Sequence, residues 1–147
     1  MSAAEQQFCT FFLDSLFLGV EVQRVQEVLR QQEMTQVPLA PPVVRGLINL
    51  RGQIVTAIDL RRRLELPQRA GEDAGMNVVV RTDDGAVSLL VDEIGDVLNV
   101  LMTTFEPPPE TVTGVARQLV RGIHKLDQRL LLVLDIDRTV DLTAPRR

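Results

Sequence analysis

Apolar positions in this chain fall in short runs broken by polar turn residues rather than in long helical stripes. FCTFFLD (8–14) and LFLGVEV (16–22) flank Asp14-Ser15, and MNVVVRT (76–82) and AVSLLVD (86–92) flank Asp83-Asp84-Gly85. An Asp-Gly pair between two apolar runs is a hairpin signal. VRGLINLRGQIVTAIDL (44–60) folds back on itself at Arg51-Gly52, which predicts a second hairpin. Between them, VQRVQEVL (22–29) places Val22, Val25, Val28 and Leu29 at helical spacing. This predicts a short amphipathic helix or turn, although β-branched residues oppose it. Asp59 and Asp135 each stand where an aspartate would cap a short closing helix.

The pattern occurs twice. VRGLINLRGQIVTAIDLRRRLEL (44–66) aligns with VRGIHKLDQRLLLVLDIDRTVDL (120–142), and VQRVQEVL (22–29) with VDEIGDVL (91–98). Asp59 meets Asp135, Arg62 meets Arg138, and Glu27 stands opposite Asp96. The offset between copies grows from 69 to 76 positions, so the second copy holds an insertion. Two long units point to paired subdomains rather than a solenoid. The expected architecture is mainly β: one domain over 1–147, built from two small antiparallel, barrel-like units of about 16–75 and 76–142, with room for strand exchange near the termini. The insertion contains Glu106-Pro107-Pro108-Pro109-Glu110. Consecutive prolines fix φ and remove donors, so a stiff connector outside the sheets is expected, in preference to a peptide for a proline-reading domain.

Composition narrows the function. With 45% hydrophobic residues but only 3% aromatic, and neither Trp nor Tyr, the interior must be built from Leu, Val and Ile. A net charge of −4 gives no global field toward phosphate backbones or anionic lipid. Neither a leader nor a spanning apolar run is apparent, and the lone Cys9 fits a reducing compartment, so a cytoplasmic protein is expected. One histidine and one cysteine cannot assemble a thiolate or imidazole metal site within the chain. His124, opposite Ile48 in the repeat, reads as a structural strand residue, and Cys9 as an inert thiol beside Phe8, Phe11 and Phe12. No nucleophile elbow, Walker loop or dinucleotide fingerprint occurs, so neither catalysis nor a cofactor is expected. Arg61-Arg62-Arg63 reads as a solvated helix face rather than a phosphate site, because no stacking aromatics lie nearby.

The copies differ at one telling place: Arg51-Gly52 in the first is Asp127-Gln128 in the second. Whatever the hairpin needs to fold belongs in both copies, whereas a residue serving a partner need appear once. Arg51 is therefore the leading candidate for function, against the plain alternative of an exposed polar turn residue beside a glycine with positive φ.

The run GLINLRGQIVTAIDLR, with Gly46, Asn49-Leu50-Arg51-Gly52 and Asp59-Leu60-Arg61, resembles the signature of CheW-like chemotaxis coupling proteins. LGVEVQRVQEV and VDEIGDVL resemble that family too, so the similarity extends over about residues 7–142. The resemblance implies two five-stranded, Src-homology-type barrels around a shared hydrophobic core, with short helices. It implies a non-enzymatic adaptor joining chemoreceptor cytoplasmic tips to the regulatory domain of a CheA-type histidine kinase, recruited to membrane receptor arrays, with mixed rings of CheW-like domains following from pseudo-symmetric pairing. A CheW-like scaffold of a non-flagellar pathway, serving surface motility or biofilm signalling, is the alternative. By the same resemblance the receptor-binding positions are Arg51, Glu27, Val25, Asn49, Gly46 and Gly52, while kinase contacts are left unassigned. Arg51 and Glu27 are expected to pair. Thr56 stands where the family pattern usually has proline.

Overall fold

A computed structural model describes residues 4–67 and 75–142. Eleven strands are present among them: β1 (Glu5–Leu13), β2 (Leu16–Glu21), β3 (Val25–Arg30), β4 (Val44–Leu50), β5 (Gln53–Asp59), β6 (Met76–Thr82), β7 (Gly85–Val91), β8 (Glu93–Leu101), β9 (Phe105–Glu106), β10 (Val120–Lys125) and β11 (Leu130–Leu134). Three short helices join them: α1 (Leu60–Arg63), α2 (Gly114–Leu119) and α3 (Ile136–Val140). The molecule is mainly β, as expected, and the hairpins turn at Asp14-Ser15, Arg51-Gly52 and Asp83-Asp84.

The strands form a six-stranded sheet, β8-β1-β2-β11-β10-β9, and a five-stranded sheet, β3-β6-β7-β5-β4. The two orders superimpose as patterns. Each has one parallel pair, β2 with β11 and β7 with β5, while its other neighbours are antiparallel. A register shift interrupts the edge pair in each sheet and another interrupts the closing hairpin, at Val44/Gly46 and Val120/Gly122. The helix caps repeat as well: the Asp59 carboxylate accepts from the Arg62 amide and that of Asp135 from the Arg138 amide. The Asp59 and Asp135 amides donate to the carbonyls of Val43 and Leu119. The extra strand β9 comes from the insertion, whose Glu106 pairs with Ile123. Pro107, Pro108 and Pro109 follow outside the sheets.

Each sheet draws on both copies. The hairpin β1-β2 lies beside β10-β11, and β6-β7 lies beside β4-β5. Consequently the largest buried cluster is common to the two sheets, with Phe11, Leu13, Leu18 and Val20 packed among Ile58, Leu60, Val78, Leu89, Leu132 and Leu134. Each sheet also folds over a small cluster of its own, around Phe8, Phe17 and Leu131 in one and Ile48, Val55 and Val79 in the other.

Two expectations are corrected. VQRVQEVL is not a helix: only Val22–Arg24 form a single 3-10 turn, and the chain then enters β3. The valines that mimic helical spacing instead suit a pleated edge. Its counterpart in the second copy is strand β8 after the single residue Asp92. The arginine run is a solvated face only at Arg62, which is exposed. Arg61 is held by Asp92 at 2.9 and 2.6 Å, and Arg63 donates to the Thr139 carbonyl at 2.7 Å and the Arg138 carbonyl at 2.8 Å. Helix α2 carries no cap hydrogen bond from its N-cap Thr113, so the terminus lacks the side-chain signal by which a start is recognised.

Candidate functional site

The site is built on the β4-β5 hairpin. Arg51 (φ 51°) and Gly52 (φ 90°) both lie in the left-handed region, as a two-residue turn matched to strand twist requires. Glycine enters that region freely, arginine only at a cost. Asn49 offsets it, its Oδ1 accepting a hydrogen bond from the Gly52 amide at 2.9 Å. A Cβ on Gly52 would meet nothing within 4 Å, so the demand there is conformational rather than spatial.

The hairpin projects Arg51 into solvent with its side chain 71% exposed. One Nη nonetheless pairs with Glu27 Oε2 on β3, a carboxylate whose side chain is 22% exposed. Gln26 Nε2 also reaches the hairpin, at Gln53 Oε1 (3.4 Å). Adjacent residues of a regular strand point to opposite faces. Gln26 and Glu27 both reach the same turn because β3 shifts register there, Val25 opposing Val80 while Glu27 opposes Val79.

Of the six residues expected at this site, the structure brings Glu27, Asn49, Arg51 and Gly52 together, with Val25 at the start of the same edge strand. Gly46 lies five residues before Arg51, within β4 and buried, where a Cβ would stand 2.8 Å from the Thr35 carbonyl oxygen and 3.1 Å from Met34 Cβ. Gln26 and Gln53 were not anticipated, because the bulge that unites them with Glu27 exists only in the paired sheet. Thr56 stands within β5 opposite Leu47 and Val87, in a strand flanked on both sides.

The corresponding end of the six-stranded sheet inverts the chemistry. Asp96 and Asp127 occupy the places of Glu27 and Arg51, and among the described residues neither forms an ion pair. A groove of about 560 Å³ opens there, lined by Phe12, Phe17, Leu98 and Leu126, with the Arg129 guanidinium 4.3 Å from the Phe17 ring centre. The two ends correspond in the repeat but differ in turn as well as surface, since neither Asp127 nor Gln128 takes the positive φ of Arg51 and Gly52.

His124 is 2% exposed on β10, between the rings of Phe8 and Phe105, and shares a 2.8 Å hydrogen bond between Nδ1 and Thr104 Oγ1. Burial pushes its pKa below the ordinary histidine value. Burial likewise raises the Cys9 thiol on β1. Among the described residues no group of three histidines, cysteines or carboxylates is placed to hold a metal, and no helix is long and apolar enough to cross a membrane.

A duplicated β scaffold with an exposed cationic turn on one half is the arrangement that defines this class of protein. The chain belongs to the CheW-like family: the model described as CheW-like domain matches residues 7–144. It is 31% identical over 136 residues to "Chemotaxis protein CheW" of Bacillus subtilis strain 168, covering 92% of this chain and 87% of that protein. It is 28% identical over 144 residues to the protein of the same name in Treponema pallidum, covering 94% and 85%. "Protein FrzA" of Myxococcus xanthus is 30% identical over 117 residues, covering 79% and 72%. Among solved structures, the scaffolding protein TtCheW from Thermoanaerobacter tengcongensis matches with a TM-score of 0.87 at 26% identity, over 98% of both chains.

Proposed function

We propose that this protein is a non-enzymatic chemotaxis adaptor that joins the cytoplasmic tips of chemoreceptors to a CheA-type histidine kinase, with the Arg51 turn on the receptor side. The observation that carries this reading is the exposed Arg51 guanidinium, held by Glu27 of an edge strand and replaced by Asp127 in the second copy. Family membership, and relatives named as chemotaxis proteins, support the adaptor role. A guanidinium offers a planar fork of donors suited to a carboxylate or amide on a receptor helix. The pairing with Glu27 adds about 0–1 kcal/mol to stability at such exposure. Its use is orientation: one face of the fork is held and the other stays open to a partner.

The protein would act by biasing the kinase's domain arrangement, with recruitment to receptor arrays following from the contacts it makes. Kinase contacts fall to exposed aliphatics and the ends of the sheets, where a modest interface permits exchange. Rings formed with other CheW-like domains would follow from the matching halves.

Titration of the full chain with a soluble chemoreceptor cytoplasmic fragment tests the assignment. Arg51→Ala should weaken binding while shifting unfolding by less than about 1 kcal/mol, and Asp127→Ala should leave receptor binding intact. Unchanged binding for Arg51→Ala, or an equal loss for Asp127→Ala, defeats the reading. Co-purification with a histidine kinase, followed by identification of its output, separates flagellar chemotaxis from a surface-motility or biofilm pathway.

A further inference from the structure

The two edge strands are bulged at equivalent places but held by different means. In the six-stranded sheet the register between β1 and β8 shifts opposite Thr10, and the Thr10 hydroxyl, buried in the sheet, donates to the Asp96 carbonyl at 2.5 Å. In the five-stranded sheet the residue at Thr10's place is Val79, fully buried, with no donor to offer. There the task passes to an arginine outside. Arg81 Nη1 donates to the carbonyls of Val25 at 3.1 Å and Gln23 at 2.9 Å, gripping the chain where it enters the bulge. Arg24 answers in the other direction: its Nε donates to the Arg81 carbonyl at 3.1 Å, and its Nη2 reaches Asp137 Oδ1 on α3 at 2.8 Å. Positions 81, 24 and 137 correspond in the repeat to Phe12, Glu93 and Arg61. There the helix reaches the edge strand by other means, Arg61 holding Asp92, whose amide donates to the Phe12 carbonyl at 3.1 Å, and Phe12 has no side-chain donor with which to grip the strand.

We infer that Arg81 is a positioning residue for the Arg51 edge, with Arg24 and Asp137 anchoring it to α3. The bulge brings Gln26 and Glu27 to one turn, and the grip on Val25 and Gln23 sets the pitch at which β3 leaves the 3-10 turn. Glu27 meets Arg51 at an angle decided in part by a helix of the other sheet. Docking at Arg51 is thereby coupled to the second half through side chains that touch no partner. The inference rests on the receptor-side reading of Arg51, but its first consequence, order in β3, does not.

Two readouts on the full chain keep these apart. Amide hydrogen exchange over Val25–Leu29 should quicken about tenfold in Arg81→Ala and by less in Asp137→Ala, while residues 96–98 of β8 stay as in the wild type. Arg81→Lys should restore protection in part, since both bonds leave the single nitrogen Nη1 and an ammonium carries donors enough for two carbonyls, on a more flexible stem. In titrations with a soluble chemoreceptor cytoplasmic fragment, Arg81→Ala should bind about fivefold more weakly, within the ordinary range of coupling between sites. Unaltered exchange at β3, or an equal rise in both edge strands, overturns the positioning role. So does quickened exchange with receptor affinity intact when Arg51→Ala has lost it. If Arg51→Ala itself binds normally, the receptor-side reading falls, and the exchange data still judge the grip on β3.

Discussion

At the scale of single residues, the two glycines of the family signature serve different needs. Gly52 has open space around its Cα and a φ of 90°, so Gly52→Ala should cost about 1 kcal/mol through the left-handed backbone. Gly46 has no room, because a Cβ would press on the Thr35 carbonyl and on Met34. Gly46→Ala should therefore cost more, about 2–3 kcal/mol, as overpacking does. Urea unfolding of the two variants checks the order, and a larger loss for Gly52→Ala would refute it. His124 carries a pH prediction. Its folded pKa lies below the ordinary value of 6.5, so the unfolded chain takes up the proton first. That contribution is complete above pH 6.5 and diminishes as the pH falls below it. Melting temperatures between pH 8 and pH 5 should fall more steeply in the wild type than in His124→Leu. Signature and repeat both marked Arg51 in the sequence. That its own φ is positive, and that Asn49 holds the turn behind it, emerged only with the folded hairpin.

Among elements, the closing helices and crossover links show where reading from sequence stops. Three consecutive arginines look like a solvated face, and Arg62, paired with Asp59 of its own turn, is exposed. Arg61 and Arg63 find partners distant in sequence: Asp92, where the chain crosses from β7 to β8, and the carbonyls of α3. The side chains of Arg61 and Asp92 are only 12% and 14% exposed, and removing one partner leaves a poorly solvated charge. Asp92→Ala should destabilise the fold by about 3 kcal/mol. Arg24→Ala breaks the exposed link to Asp137 and should cost less than about 1 kcal/mol. Denaturant titration of both variants tests the contrast, and equal losses would contradict it. The helix expected over VQRVQEVL failed for the complementary reason. Its spacing suits either period, and pairing with β6 decided for a strand.

The whole molecule is organised by the exchange of opening hairpins. Because β1-β2 serves one sheet and β6-β7 the other, neither sheet closes its core without residues from both copies. Leu18 is fully buried in the cluster the sheets share, and Leu18→Ala should cost about 2–5 kcal/mol. That loss should appear as an earlier single unfolding transition, with probes in the two sheets coincident. Separate transitions for residues in β5 and β11 would show that the halves fold alone.

The sequence by itself determined the duplication, the hairpins, the capping aspartates and the solitary arginine turn. Each rests on patterns within a few residues or on comparison of one copy with the other. Tertiary structure decided which hairpin joined which sheet, what the arginine run touches, and how a bulge aims Glu27 at Arg51. These depend on contacts between residues far apart in the chain, and no local periodicity records them.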